Sequence, residues 1–425
     1  MQGIKLGLDT IRAALIALGE PQARYPSLLV AGTNGKGSTV AMASGILCAM
    51  GQRVGSTVSP HLTEYRERFL IDGVPIAQSD LQALGERVAR VLDADAASEA
   101  ITFFEIGVAL SLAWFAEQKV DSAVIEVGMG GEFDATRACV PLVAGLVSID
   151  EDHLKHLGPT LADVARTKAR VAPPGGVLVV GEAREDRLGP VFTEAQAVGC
   201  AVWLCGRDFS LTGADGDLTY RSATLVVPEI ALGLAGAHQR GNAATAVAVV
   251  QAFCAARGEP GPTPDEVRRG LRTAFIAGRL EALALTPGGA SVLLDGAHNP
   301  AGAVALGAEL ARGARPARRV WLYAAMGDKD RGPILDAVGP HVDEVWCTRG
   351  TSTPRFADPE LLASEARDRG LPARCFSSPA AAVAEARREL TADDQLLVAG
   401  SLYLVGDVRP LILARIGQRT PAVSG

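Results

Sequence analysis

Residues 29–39 read LVAGTNGKGST, an apolar stretch tipping into a glycine-rich turn that carries one lysine and a Ser-Thr pair. Gly32, Gly35 and Gly37 let the backbone close on an anion, Lys36 adds a compact positive charge, and Ser38 or Thr39 offers a hydroxyl to Mg²⁺. This is the pattern of a phosphate cradle, and ATP is the ligand it predicts. Its spacing departs from G-x-x-x-x-G-K-[ST], because only two residues separate Gly32 from Gly35 and Gly37 stands between Lys36 and Ser38. An ordinary strand-to-helix turn uses the same residue types. The apolar SLLVAG before the turn and the helix-like STVAMASGILCAM after it favour the cradle.

Open α/β sheets gather ligands at the carboxyl ends of their strands, so polar residues just after apolar runs are the next candidates. Glu126 closes the run in DSAVIEVGMGGEFD, where a carboxylate would hold Mg²⁺ directly or through water; a structural glutamate would look the same. In LVSIDEDHLKHLG the strand ends at Asp150, Glu151, Asp152 and His153; His153 is a candidate ligand, and the acids fit either ligands or a solvated surface. STVSPHLTEYRER leaves Ser59, Pro60 and His61 at a strand tip, where Ser59 can reach a metal and Arg66 and Arg68 an anionic substrate. Further on, GRLE carries Arg279 and LLDGAHNP carries Asp295, His298 and Asn299. Arginine at a hinge suits a phosphate and the Asp-His pair suits ribose or phosphate, with a purely structural Arg-Asp pair as the alternative.

The elements that must position these groups are legible as alternating apolar runs and helical patterns. SLLVAG, RVGSTVS, SAVIEVG, LVAGLVSI, GGVLVVG and AVWLC predict a mainly parallel, doubly wound sheet. The polar, turn-rich DFSLTGADGDLTYRSATLVVPEI predicts a small antiparallel excursion, followed by a long helix near 240–257. SVLLDGA, RVWLYAAM, EVWCT, ARCFSS and QLLVAG predict a second α/β domain, with 274–292 as the link and the boundary near 277. At 425 residues the chain has room for two or three cores.

Composition narrows the function classes. With 48% hydrophobic residues and a net charge of −7, the chain has no bulk field to draw nucleic acid or anionic lipid. The apolar ITFFEIGVALSLAWFAEQ holds Glu105 within it, and the N-terminus lacks a basic-then-apolar export pattern, so a cytoplasmic protein with no membrane partner is expected. Seven scattered cysteines without a C-x-x-C pair read as reduced packing residues.

Taken together, AGTNGKGST, VSPHL, VIEVGMGGEFDAT, ID-x-DH-x-x-x-LG-x-T, GAHQ-x-x-N, GRLE, LLDGAHNP and GSLYL resemble, in order, the folylpolyglutamate synthase / dihydrofolate synthase family, relatives of the Mur peptidoglycan ligases. The resemblance implies an N-terminal Mur-ligase-like P-loop ATPase domain over 1–277, binding ATP, Mg²⁺ and folate, and a smaller Rossmann-like glutamate-ligase domain over 278–425. It implies an ATP-dependent ligase that joins L-glutamate to the γ-carboxylate of a reduced folate, or to dihydropteroate, through an acyl phosphate, in a chain leaning to the monomer. Rival readings are a Mur-type ligase for a cell-wall precursor and a nucleotide-dependent binding protein without ligation.

By the same resemblance, Gly32, Thr33, Asn34, Gly35, Lys36, Gly37, Ser38 and Thr39 cradle the triphosphate, and Ser59, Glu126 and His153 hold Mg²⁺. Lys168, once carbamylated, places a second Mg²⁺; Asn242 meets adenine, Arg279 phosphate, and Asp295 and His298 ribose or phosphate. Lys36, Lys168, His153 and Arg279 are the catalytic set, and Pro60, His61, Arg66, Arg68 and Asp134 the substrate set. The chain departs from the family at Thr167-Lys168-Ala169-Arg170 in place of EKAG, at Glu132 in place of Arg, and at Arg137 in place of Asn.

Overall fold

The computed structural model describes residues 7–93, 101–152 and 154–416. Its contacts fall into two compact units, one of Met1–His61, Tyr65–Gly233 and Gln239–Phe275, the other of Leu62–Glu64, Leu234–His238 and Ile276–Gly425.

In the first unit β1 (Ser27–Ala31), β2 (Val54–Thr57), β3 (Phe69–Ile71), β4 (Val74–Pro75), β5 (Ser122–Glu126), β6 (Val143–Leu146), β7 (Val177–Val180) and β8 (Ala201–Leu204) form one sheet in the order β4-β3-β2-β5-β1-β6-β7-β8. All neighbours run parallel except at the β2-β3-β4 edge, a short hairpin that the apolar-run pattern does not predict. β1, β5 and β6 are buried along their whole length, as continuous apolar runs in a covered parallel sheet should be. Register then sets the site: Val30 pairs with Glu126, Ala31 with Leu146, and Thr57 with Ile125, so the loops after β1, β2, β5 and β6 leave one edge side by side.

The apolar helix Phe103–Glu117 is buried against this sheet's core, and Glu105 within it closes a capping box: its carboxylate accepts from the Thr102 amide (2.8 Å) and hydroxyl (2.7 Å). β9 (Phe209–Ala214), β10 (Asp217–Ser222) and β11 (Val226–Ile230) make a separate antiparallel sheet, the first hairpin turning on Asp215-Gly216. Among the described residues no helix is long and apolar enough to cross a membrane.

The second unit is a sheet of β12 (Glu281–Ala284), β13 (Ser291–Leu294), β14 (Arg319–Tyr323), β15 (Glu344–Cys347), β16 (Ala373–Cys375) and β17 (Gln395–Ala399), ordered β12-β13-β17-β14-β15-β16. All pairs are parallel except β12-β13. β12 lies inside the stretch that the sequence reads as a link. The Pro287-Gly288-Gly289 turn folds it back antiparallel onto β13, with the Leu285 amide donating to Ala290 O (2.8 Å).

Helix Lys36–Ala49, which follows the phosphate loop, is pressed against helix Pro264–Thr273 where Gly45 and Gly270 face each other. A Cβ on Gly270 would lie 2.4 Å from the Ile46 amide nitrogen, and one on Gly45 would lie 2.6 Å from Gly270 O. Backbone blocks both, so Gly270→Ala should lower stability by about 1–3 kcal/mol in urea unfolding. Gly189→Ala, at a helical glycine with open space around it, should instead raise stability by about 0.5–1 kcal/mol.

Candidate active site

The loop after β1 is tied to the segment that follows β6. The Thr33 amide donates to Ser148 O (2.9 Å), and the Thr33 hydroxyl both donates to Asp150 O and accepts from the Asp150 amide, at 3.0 Å each. The Asn34 amide donates to Ser148 Oγ (2.9 Å), whose own proton goes to Asn34 O (3.0 Å). Gly35 caps the following helix in the left-handed region, φ +83°, where a Cβ would lie 2.2 Å from Asn242 Oδ1. Asn242 therefore packs directly on the cradle, and its amide donates to Gln239 Oε1 (2.8 Å), while Gln239 Nε2 donates to Ser38 Oγ (3.3 Å).

Two amines converge on one carbonyl. Lys36 Nζ donates to Gly32 O (3.1 Å) and Thr33 O (3.2 Å), and Lys168 Nζ donates to the same Gly32 O (3.0 Å). Lys168 comes from helix Leu161–Ala169, whose start is fixed by a Thr160/Asp163 capping box, and its side chain is only 4% exposed. Burial first, and the neighbouring Lys36 charge second, push the Lys168 ammonium down to about 7; Asp152, Asp134 and Asp150 pull more weakly the other way.

Glu126, 6% exposed at the end of β5, accepts the Ser59 amide (3.0 Å), which sits at a cis Ser59-Pro60 peptide. The buried Thr39 hydroxyl has no hydrogen-bond partner. Hydroxyl and carboxylate oxygens are the donors Mg²⁺ prefers, and an ion that keeps several waters needs few of them, so these residues fit Mg²⁺. Among the described residues no three His, Cys, Asp or Glu side chains converge on a common metal position, and His153 lies outside the described residues.

Beside Glu126 and Ser59 opens a small recess of about 30 Å³, lined also by Thr57, Arg68, Phe104 and Thr136. Arg68 Nε donates to His61 Nδ1 (3.0 Å), and its guanidinium lies 5.3 Å from the Tyr65 ring centre. Burial and the Arg68 charge hold His61 below its usual range, which keeps that acceptor nitrogen unprotonated. Tyr65 in turn leans on the exposed Phe103 (5.2 Å). Arg66 stands on the same short turn, Tyr65–Arg68. Sequence reasoning passed over Phe103 and Phe104 because they begin an apolar helical run; the Thr102/Glu105 box, which fixes the helix start, was the available signal that they sit at an open end.

Three acids named from the sequence turn their carboxylates toward the protein. Asp134 accepts from the Met129 amide (2.8 Å), the Thr136 amide (3.0 Å) and the Thr136 hydroxyl (2.6 Å), and burial raises its pKa. Asp150 is engaged by Arg184 (3.1 Å) and Arg187 (2.6 Å), and Arg184 also grips the buried Glu182. On the second unit, Asp295 accepts from the Leu280 amide (3.0 Å) and the Ala297 amide (2.8 Å). His298 Nδ1 donates to Gly296 O (2.8 Å), and Asn299 caps helix Pro300–Arg312 through the Gly302 amide (2.8 Å). Arg279 sits on that unit between two left-handed residues, Gly278 at φ +71° and Leu280 at φ +47°. Two of the departures from the family pattern meet, Glu132 pairing with Arg170 (2.5 Å), and the third, Arg137, donates to Val171 O (3.0 Å).

Residues 30–250 match the Mur ligase middle domain, and residues 278–402 match the Mur ligase glutamate ligase domain. The chain is 36% identical over 420 residues to a probable bifunctional folylpolyglutamate synthase/dihydropteroate synthase of Haloferax volcanii, covering 96% of this chain and 48% of that one. It thus spans about half the length of that relative. A dihydrofolate synthase/folylpolyglutamate synthase of Mycobacterium tuberculosis is 36% identical over 402 residues, covering 86% of this chain and 79% of the relative. Among solved structures, Escherichia coli FolC in complex with DHPP and ADP superposes with a TM-score of 0.87 at 29% identity, over 97% of this chain and 94% of that one. A bifunctional folylpolyglutamate synthase/dihydrofolate synthase with Mn, AMPPNP and L-glutamate bound gives 0.84 at 28%, over 96% and 95%.

The lowered Lys168 pKa sets a pH signature. Between about 7 and 10.5 the unfolded chain holds a proton on this amine that the folded chain has released, so the site's contribution to stability rises with pH across that window and is at its worst below it. Lys168→Met should therefore unfold at a higher temperature than the parent at about pH 6, an advantage that shrinks by about pH 9 in calorimetric scans.

Proposed function

This chain belongs to the folylpolyglutamate synthase family of Mur ligases, and from that premise we propose that it is an ATP-dependent ligase that adds L-glutamate to the γ-carboxylate of a reduced folate. Dihydropteroate is proposed as a second acceptor, in keeping with the dihydrofolate synthase names of its relatives and the DHPP bound to Escherichia coli FolC. The observation that carries the reading is the tied loop 32–39, in which Lys36 and Lys168 meet at Gly32 O.

A free carboxylate resists an amine because oxide is a poor leaving group. In the proposed reaction the folate carboxylate oxygen attacks the γ-phosphorus of ATP, the bond to the β-phosphate oxygen breaks, and ADP departs. The glutamate amine then adds to the acyl carbon, inorganic phosphate leaves with the bonding pair, and the amine gives up its proton. The loop amides and Lys36 hold the phosphates in line and offset their charge, which is most of what phosphoryl transfer asks of a protein. Thr39 or Ser38, Ser59, Glu126 and His153 are the residues that would hold Mg²⁺, which when bound neutralises charge on the phosphate oxygens. At the recess beside Glu126, Phe104 offers a ring face and Arg68 a positive charge, side chains of the kind that would meet an acceptor's flat ring and anionic tail. Arg279, Asp295, His298 and Asn242 are retained as nucleotide contacts; for Asp295 the support is indirect, since its two oxygens position the Arg279 turn and the loop before His298.

Lys168 is proposed to act as a carbamate. Near neutral pH about half of an amine titrating at about 7 is unprotonated; the nitrogen of that neutral amine adds to carbon dioxide, one proton is lost to solvent, and the resulting carbamate anion can take a second Mg²⁺. In ¹³C-bicarbonate a carbamate carbon resonance should appear and be missing from Lys168→Ala.

The deciding assay supplies ATP, Mg²⁺ and labelled L-glutamate with tetrahydrofolate, dihydropteroate or a nucleotide-linked muramyl acceptor. Amide product on a pteridine acceptor is expected; label only on the muramyl acceptor would replace the folate reading, and ATP hydrolysis with no amide on any acceptor would replace the ligase reading. Lys36→Ala should weaken nucleotide binding and reduce ligation by roughly a hundredfold or more. Lys168→Ala should lose ligation to a similar degree while still binding ADP, as equilibrium dialysis can show.

A further inference from the structure

On the second unit, the turn that carries Arg279 is held from both sides by buried carboxylates. The Gly278 amide donates to Glu281 Oε2 (2.9 Å), the Leu280 amide to Asp295 Oδ2 (3.0 Å), and Gly278 O accepts from the Gly296 amide (2.8 Å). Left-handed backbone at Gly278 and at a non-glycine, Leu280, is a conformation that persists only where its surroundings enforce it. Glu281 is itself held by Arg409, from helix Leu402–Ile416. Arg409 Nε lies 3.0 and 2.9 Å from the two Glu281 oxygens, and its NH2 nitrogen lies 2.9 Å from Oε1; both side chains are buried.

A carboxylate this deep requires a partner in contact, and a planar guanidinium bonded to both its oxygens fixes its direction as well as its charge. Glu281 has one oxygen turned to the Gly278 amide, so the orientation that Arg409 imposes on it is passed to the first residue of the Arg279 turn. We infer that Arg409 is a positioning residue: through Glu281 it sets the backbone of Gly278-Arg279-Leu280 and so the direction in which this unit presents the Arg279 guanidinium. This rests on the reading of Arg279 as a phosphate contact. The chain thereby builds its nucleotide grip partly from a residue that meets no ligand.

A double-mutant cycle on the full-length protein tests it, with AMP-PNP affinity and the split between ATP KM and kcat as readouts. Arg279→Ala should weaken AMP-PNP binding about thirtyfold and Arg409→Met about tenfold, and the double variant should be no worse than Arg279→Ala alone, because Arg409 has nothing left to aim. ATP KM should follow the same order, with glutamate KM unchanged. Arg409→Lys, which keeps the charge and loses the fork, takes the place of Arg409→Met in the cycle if the methionine variant does not purify folded. Effects that multiply to about three-hundredfold in the double variant, or a loss in Arg409→Met that falls equally on glutamate KM, would overturn the positioning role while leaving Arg279 in place. An Arg279→Ala enzyme with undiminished nucleotide affinity would refute the Arg279 assignment itself, and the inference with it.

Discussion

The carbonyl oxygen of Gly32 receives the amines of both Lys36 and Lys168, and much of the first unit is arranged around that meeting. Burial disfavours the charge on the inner amine, and the neighbouring Lys36 adds to that, so the Lys168 ammonium is pushed down to about 7. A site with this bias is completed by negative charge. A polyphosphate would supply it at the loop amides, and a carbamate on Lys168 would supply it from within; the same lysine would then change from a competitor of Lys36 into a partner for a cation.

The sheet explains why the groups meet. β1 lies between β5 and β6 in register, so the glycine loop, Glu126 and the Val147–Asp150 segment emerge at adjacent strand ends, and Thr33, Asn34 and Ser148 zip two of those loops together. The second unit uses a related device with different residues. There a pair of buried carboxylates, Glu281 and Asp295, fastens the turn around Arg279.

Much of this frame was legible in the residue text, because fully covered parallel strands read as unbroken apolar runs and every such run named from the sequence is a strand. The β3-β4 hairpin and β12 were not, since the three- and two-residue strands around Asp72-Gly73 leave no run to read and Glu281–Ala284 is built of helix-forming residues. At the site, residue types and spacing marked Lys36 and Glu126, and the family resemblance marked Lys168, but residue type does not say which way a carboxylate points. Asp134, Asp150 and Asp295 all stand where ligands gather and all bond inward. The Arg409–Glu281 pair was also hidden, because its partners are 128 residues apart and an arginine in an apolar C-terminal helix announces no role.

The charge bias at Gly32 O is most directly tested by measuring the protons exchanged when AMP-PNP binds, from calorimetric titrations at about pH 8 in carbon-dioxide-free buffers of differing ionisation enthalpy. Lys168 is then mostly neutral, and an arriving triphosphate should restore its charge, so the account predicts net proton uptake that disappears in Lys168→Met. Binding enthalpies independent of the buffer, or the same uptake in the methionine variant, would contradict it.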